Sequence, residues 1–596
     1  MRQHPDRRQR RSVRLARPTI RLRVGLVLII FVFSVFAGRL VQIQGIEAHA
    51  YTELADKYDV ATEVTLTAPR GAIVDRDGAP LARSTDAQML IADPLHTAAD
   101  APEIAAVVAE HTDASYLELV HDLRKPDSRF AYLARQVLPE QVDAVMAELS
   151  ERGLAGVYAQ ADPLRTYPAG DVAANLVGFL GASPDEQGNL ARAGVEFAYN
   201  DLLKGTDGHA TYVTDGMGTR IPLAESSVDA PEPGTDLALT IDADLQFFAQ
   251  RRLEQAVKDT GSLSGAAIVM DPQTSEILAL ADYPSYDPSR VATADAADIG
   301  SRAIEQVYEP GSVQKVLTAA ALIDAGKLTP RTRMRIPAEL ELGQDSISDW
   351  FDHQQIKLTF AGVIAQSSNI GTAMAAAQLS PEQLHAYLTD FGLGQPTDLG
   401  MPGETRGLLP DPSTWEPIRQ ATIAFGQGLS VNAVQMTTAI SAIANEGEYV
   451  EPSVVKGTVG PDGEVTPLEE PESRQVVSPA AARSVSRMME MVTAESGTAP
   501  SAAIEGYRVA GKTGTAQRVD PEGGGYATGG FTVSFGGFVP ADDPQVVTYV
   551  VLQKPSANVG GGSGAGPVFQ DITSFALQKY GIPPTGTRRP KLPLTW

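Results

Sequence analysis

Ser312 and Lys315 lie three positions apart in the run Tyr308-Glu309-Pro310-Gly311-Ser312-Val313-Gln314-Lys315, directly ahead of an apolar, Ala-rich stretch at 316–325. Pro-Gly before a periodic segment signals a turn into a helix, with Gly326 near the helix end. On a helix, residues i and i+3 share a face, so the Lys315 amine can reach the Ser312 hydroxyl. Such a pair offers a nucleophile and its base. A serine hydroxyl attacks only once a neighbour takes its proton, and the positive end of a helix favours both an unprotonated amine and a developing anion. Spacing alone decides little, because Ser453-Val454-Val455-Lys456 repeats it. There the β-branched run between Pro452 and Gly457 reads as a strand, where i and i+3 face opposite sides.

Two further clusters make the first one informative: Ser367-Ser368-Asn369, and Lys512-Thr513-Gly514-Thr515 after Gly511. Ser367 can relay a proton between amines and a leaving nitrogen, and Asn369 can hold a peptide amide. Lys512 with Thr513 and Thr515 can bind a carboxylate. Residues 509–517 read as a strand, in which Gly514 would let a substrate backbone come close and add along the edge. The candidate site therefore comprises Ser312, Lys315, Ser367, Asn369 and Lys512 for chemistry, and Thr513, Gly514 and Thr515 for substrate. A competing pattern is Gly506 to Thr513, which fits the nucleotide-binding form G-x-x-x-x-G-K-[ST]. That loop needs a helix after it to present backbone amides to phosphate, whereas Pro521 and three glycines follow here, so no nucleotide is expected.

The elements that must position these clusters belong to a chain of 596 residues, too long for one core, so two or three domains are expected. The formal charge is −25; nine Arg and one Asp precede Val24, so that leader carries +8 and the remainder −33. An acidic body excludes nucleic acid as its partner. The chain has no Cys, hence no disulfide, thiolate metal site or cysteine nucleophile, and its eight His show no H-E-x-x-H spacing, so neither metal nor cofactor is expected.

Residues 1–23 read as a basic cytoplasmic tail and 24–43 as a transmembrane helix, broken only by Arg39, with everything after it outside the membrane. Signal-peptide cleavage at Ala48-His49-Ala50 is the competing reading, disfavoured by the distance of that site from the apolar run. Residues 44–225 form a first extracytoplasmic domain, with a strand, Asp-Gly turn and strand near 68–78 and helices near 102–111, 115–124 and 139–152. The charged motifs Arg165…Gly170, Gly194-Val195-Glu196 and Gly205…Gly208 read as turns and receive no chemistry. Residues 226–236 read as a linker. The second domain, 237–580, opens on a helix capped by Asp242 and has strands at 265–270, 276–281, 507–517, 531–539 and 545–553, with helices across 311–440. Strands at both ends of the domain with helices between imply an α+β fold, an antiparallel sheet with a helical subdomain. The glycine-rich 558–566 reads as a flexible loop and the Pro-rich tail 581–596 as poorly ordered.

With these motifs assembled, the chain resembles the class B penicillin-binding proteins, bacterial D,D-transpeptidases that cross-link peptidoglycan. The order S-x-x-K, S-x-N, K-T-G is shared with β-lactamases and penicillin-binding proteins. The likeness extends to Gly38-Arg39-Leu40, Arg70-Gly71…Asp75-Arg76, Gly194-Val195-Glu196, Leu239-Thr240-Ile241-Asp242 and Phe425-Gly426-Gln427-Gly428. The S-S-N form followed by Ile370-Gly371 is most similar to the septal, FtsI-type division enzymes. The resemblance implies a single membrane helix, an elongated α+β pedestal and a serine-transpeptidase, β-lactamase-like domain. It also implies that Ser312 is acylated by stem peptides ending in D-Ala-D-Ala and by β-lactams, that Lys315 is the favoured base, and that the oxyanion sits between the Ser312 and Thr515 amides. A membrane-embedded glycosyltransferase and other division proteins are the implied partners. Relatives often carry Thr-Phe where this chain has Val313-Gln314, a change expected to alter packing rather than activity. An elongation-type transpeptidase, a carboxypeptidase or β-lactamase, and a non-catalytic β-lactam-binding scaffold are the alternatives. No Glu-x-x-x-Leu-Asn stretch follows Asn369 to activate water, and all three motifs are intact.

Overall fold

The computed structural model describes residues 18–42, 60–126, 128–182, 189–214, 227–519, 525–556 and 558–596. Its first element is the helix Pro18–Val41. Within it Leu22–Val41 has a mean hydropathy of 2.5 and is unburied among the described residues, and it is long and apolar enough to cross a membrane. The Ala48-His49-Ala50 site lies outside the described residues.

In the next domain the 3.6-residue pattern is realised as Ala101–His111, Tyr116–Asp122 and Pro139–Glu151, which bury Ile104, Val108, Leu119, Val142, Val145 and Leu149 against one another. The Asp-Gly turn joins Ile73–Val74 to Pro80–Thr85, with Gly78 at φ +90 and Asp75 Oδ1 accepting from the amides of Asp77 and Ala79. The motifs that read as separate turns converge. Arg165 and Glu196 are buried, and the two Glu196 carboxylate oxygens accept from Arg70 Nε at 2.6 Å and Arg165 Nε at 2.7 Å. Their chemistry is structural: a carboxylate buried this deeply is tolerated because two guanidiniums meet it.

Thr235 and Asp236 lead into Asp236–Leu239, which stitches the two domains together. It pairs in parallel with Ile73–Val74 of the first domain and antiparallel with Val455–Val459 of the second. Within the predicted linker, residues 227–229 are more ordered than their composition predicts, because Ser227–Asp229 pairs with Gly208–Thr214 as the third strand of a small sheet.

The catalytic half is built on a five-stranded antiparallel sheet in the order Ile277–Tyr283, Ser264–Met270, Val546–Gln553, Tyr526–Val539, Ala510–Val519. Side chains alternate across a strand, and adjacent positions Phe535 and Gly536 show what covers each face. The Phe535 ring packs on Phe569 of the helix Gly566–Lys579, while a Cβ at Gly536 would meet Ile440 of the helix Ala433–Ala444. Helices thus sandwich the sheet, and the inner strands, buried at nearly every position, read as unbroken apolar runs. Asp242 caps Ala243–Thr260 through the Asp244 and Leu245 amides, as its position suggested.

Two segments that read as loose are packed. Gly561–Ala565 forms a helical turn in which a Cβ on Gly561 would lie 2.5 Å from the Gly514 carbonyl. The Pro-rich tail crosses the catalytic half and docks on the strand Ile356–Thr359. There Thr359 donates to the Leu594 carbonyl at 3.0 Å, and the Trp596 ring sits among Arg333, Arg335 and Lys357 at 5.2–5.6 Å.

Candidate active site

Ser312 sits in the short 3-10 turn Gly311–Gln314, which runs straight into the helix Lys315–Asp324. The turn approaches Gly426 so closely that a Cβ there would stand 2.0 Å from the Gly311 carbonyl, and the Gly311 amide donates to the Gly426 carbonyl at 2.9 Å. Glycine at both positions is therefore a packing requirement. Glu309, one turn earlier, ties in neighbouring segments: its Oε1 accepts from the Gly428 amide and the Tyr526 hydroxyl. Burial raises its carboxyl above the usual range.

The three sequence clusters meet around Lys315. Its Nζ donates to the Ser367 carbonyl at 2.7 Å, to Ser367 Oγ at 3.3 Å and to Asn369 Oδ1 at 2.7 Å. From the other side Lys512 Nζ donates to the same Ser367 Oγ at 2.9 Å and to the Thr513 carbonyl at 3.1 Å. One hydroxyl thus bridges two amines. The expected direct bond between Lys315 and Ser312 is replaced: the amine turns to the Ser367–Asn369 turn, and no hydrogen bond joins it to the Ser312 hydroxyl among the described residues. Asn369 spends its oxygen on Lys315 and its amide nitrogen on the Ser348 carbonyl at 3.1 Å.

Both amines are wholly buried, and burial is the principal force on each. It holds Lys315 well below the usual lysine range, assisted by nearby Lys512 and opposed by Asp349, and it brings Lys512 down to about 7. Burial thus favours the neutral form of each amine, and a neutral amine carries a lone pair that can accept a proton. Ser367 itself holds a left-handed backbone, φ +59, a conformation that costs a non-glycine residue on the order of 1–3 kcal/mol and persists where surroundings enforce it.

Thr513, Gly514 and Thr515 lie on Ala510–Val519, the edge strand of the sheet, whose outer side is open to an added strand. Thr515 is exposed, and Thr513, two positions away, faces the same side. A Cβ on Gly514 would fall 2.2 Å from Ser534 Oγ and 2.9 Å from the Pro310 carbonyl, so glycine here also lets the nucleophile turn seat on the strand. The strand also argues against the nucleotide reading, since Lys512 and Thr513 lie within it and the next described element is again a strand, Tyr526–Val539, not a helix.

Sequence reasoning missed Asp349 and His353. Asp349 Oδ2 accepts from Ser368 Oγ at 2.7 Å, Oδ1 accepts from the Ile370 amide at 3.0 Å, and His353 Nε2 stands 3.1 Å from Oδ2. They lie in an irregular stretch between short strands, where the four-residue spacing is the sole signal. As expected, Val313 and Gln314 point into the interior, and neither amide atom of Gln314 has a partner.

Residues 265–574 match the family described as the penicillin-binding protein transpeptidase domain, and residues 65–239 match the penicillin-binding protein dimerisation domain. The chain belongs to the class B penicillin-binding proteins. Penicillin-binding protein PbpB of Mycolicibacterium smegmatis is 34% identical over 95% of this chain and 91% of its own length. The probable peptidoglycan D,D-transpeptidase PbpC of Pseudomonas aeruginosa is 34% identical over 94% of this chain and 95% of its own. Penicillin-binding protein 3 of Mycobacterium tuberculosis, solved with aztreonam, superposes with a TM-score of 0.69 at 30% identity, covering 89% of this chain and all of that one. This penicillin-binding protein is accordingly a peptidoglycan D,D-transpeptidase with an α+β fold.

Proposed function

We propose that Ser312 is the nucleophile of peptidoglycan cross-linking, that Lys315 takes its proton, and that Ser367 and Lys512 form the exit route for protons to the leaving group. Ser312 Oγ bonds to the carbonyl carbon of the penultimate D-Ala of a stem peptide while its proton passes to Lys315. The C–N bond to the terminal D-Ala then breaks, and its nitrogen is protonated through Ser367. The amine of a second stem peptide attacks the acyl-enzyme, restoring the Ser312 hydroxyl. The oxyanion lies between the amides of Ser312 and Thr515; the former is in the first turn of its helix, where no intrahelical acceptor exists. Asn369 holds the substrate amide, and Thr513 and Thr515 the terminal carboxylate, beside Lys512 and along the edge strand. Gly514 keeps the nucleophile turn seated. A β-lactam enters as a mimic of D-Ala-D-Ala and stays bound to Ser312.

The observation that carries this reading is the bridge Lys512–Ser367–Lys315, two buried amines sharing one hydroxyl one turn from Ser312. In the cell, residues 24–43 anchor the chain with its basic end inside and residues 44–596 outside. The enzyme serves the septum during division, beside a membrane glycosyltransferase and other division proteins. The S-S-N form followed by Ile370-Gly371, and the resemblance to FtsI-type enzymes that it carries, support that placement.

The test is to label the detergent-solubilised full chain with a fluorescent penicillin and map the adduct by mass spectrometry. A stable adduct on Ser312, lost in Ser312→Ala and in Lys315→Ala, is the expected result. An adduct on Ser453 or elsewhere, or none, overturns the assignment.

A further inference from the structure

The stretch 348–355 presses on the Ser367–Asn369 turn from the side away from the edge strand, and its contacts are of a kind that simple packing does not require. The Asp349 side chain is fully buried and the His353 side chain nearly so, at 0% and 6% exposure. Every oxygen of Asp349 is engaged: Oδ1 by the Ile370 amide, Oδ2 by both Ser368 Oγ and His353 Nε2. Ser368 is at the same time the cap of the helix Asn369–Ala376, accepting from the Gly371 amide at 2.9 Å. One carboxylate therefore fixes both residues that flank Asn369. The neighbouring Ser348 carbonyl fixes Asn369 itself, and Trp350 Nε1 donates to the Gln366 carbonyl just before Ser367. Gln366, Ser368, Asn369 and Ile370, on either side of Ser367, are thus held by three residues of the loop, 348–350. The left-handed backbone of Ser367 needs such enforcement.

We propose that Asp349, backed by His353, is a positioning residue for acyl transfer, which clamps the Ser367–Asn369 turn onto Lys315 and sets a buried carboxylate near that amine. The proposal rests on Ser312 and Lys315 being the reacting pair. The charged and titratable groups that bear on Lys315 from the elements around it are Lys512 on the edge strand and Asp349 with His353 on the loop; Asp324, on its own helix, lies at the far end. Asp349 acts against Lys512, raising the proton affinity of Lys315 that burial and Lys512 lower. His353 Nδ1 meets the Gln354 carbonyl at 2.6 Å, which fixes the ring for its bond to Asp349. The anion is therefore both a mechanical clamp and a trim on the base.

These two roles predict a combination that a merely structural residue would not give. In Asp349→Asn the turn loses its tie and Lys315 loses its anion. The second-order rate of Ser312 acylation by a fluorescent penicillin, measured on the full chain from pH 5 to 10, should fall about tenfold or more at its plateau. Its acidic limb should move to lower pH by about half a unit or more, because the base now sheds its proton more readily. Ser368→Ala, which removes one tie and keeps the charge, should lower the plateau and leave the limb in place; it also covers the case in which Asp349→Asn does not fold. A plateau within twofold of wild type in either variant, or an unmoved limb in a folded Asp349→Asn, overturns the proposal alone. A wild-type protein with no adduct on Ser312 overturns the nucleophile assignment beneath it, and the proposal with it.

Discussion

Gln314 is the residue whose replacement should most improve this protein. It is fully buried between Ser312 and Lys315, and both its Nε2 and Oε1 lack a partner. A buried polar group left unpaired costs about 1–3 kcal/mol, so two such atoms set an upper range of about 2–6 kcal/mol. Methionine conserves the volume and flexes to fill irregular space, and volume-conserving swaps themselves cost less than about 1.5 kcal/mol. The net gain for Gln314→Met is then about 2 kcal/mol, which for a domain of this size corresponds to a rise in Tm of about 3 °C. The assay is thermal unfolding of the purified chain with and without the substitution, with penicillin acylation measured in parallel. Acylation should stay within about twofold, because the side chain points away from the reacting pair. A fall in Tm would refute the reasoning, since it would mean that the amide has a partner, such as a buried water, whose loss outweighs the apolar gain.

Two other perturbations read the buried charges. Lys512 has its folded-state affinity for a proton lowered to about 7, against 10.5 for an ordinary lysine, so the unfolded chain binds a proton that the folded one refuses between those values. The contribution of Lys512 to stability should therefore fall as pH drops from about 10.5 to 7 and level off below, and Lys512→Met should remove that part of the slope in a series of melts across pH. In the pedestal, Glu196→Gln leaves Arg70 and Arg165 buried without their anion. Chemical denaturation should report a loss of about 3–5 kcal/mol in that half, while acylation of Ser312 by penicillin, far from the change, stays intact.

How much of this was legible in the chain depends on how local the cause is. The spacing of Ser312 and Lys315, the helix caps at Asp242 and the strand pattern around Lys512 are short-range signals, and each folds as read. What Lys315 binds was not legible, because its partners stand 52 and 54 positions away and the bond it was expected to make is local. Asp349 sits in a stretch with no period, and its importance comes from a tertiary contact 19 residues on. Arg165 and Glu196 each read as a surface turn; only their convergence, with each other over 31 positions and with Arg70 over 126, buries them. The tail misled by composition. Its prolines read as disorder, yet a few residues with carbonyls to offer and one large ring suffice to dock it.

That docking bears on when the enzyme can become active. Thr359 opens the helix Phe360–Ala365, whose far end delivers Ser367, and it is held by the carbonyls of Pro593 and Leu594, more than two hundred positions downstream. Contacts of such long range form late, after the entropy of closing the intervening loop has been met. A chain with this fastening missing would lack the brace behind the Ser367 turn. The turn is thus finished only when the C-terminal segment docks, and a fusion placed beyond Trp596 would act on the assembly of the site and not merely on its surface.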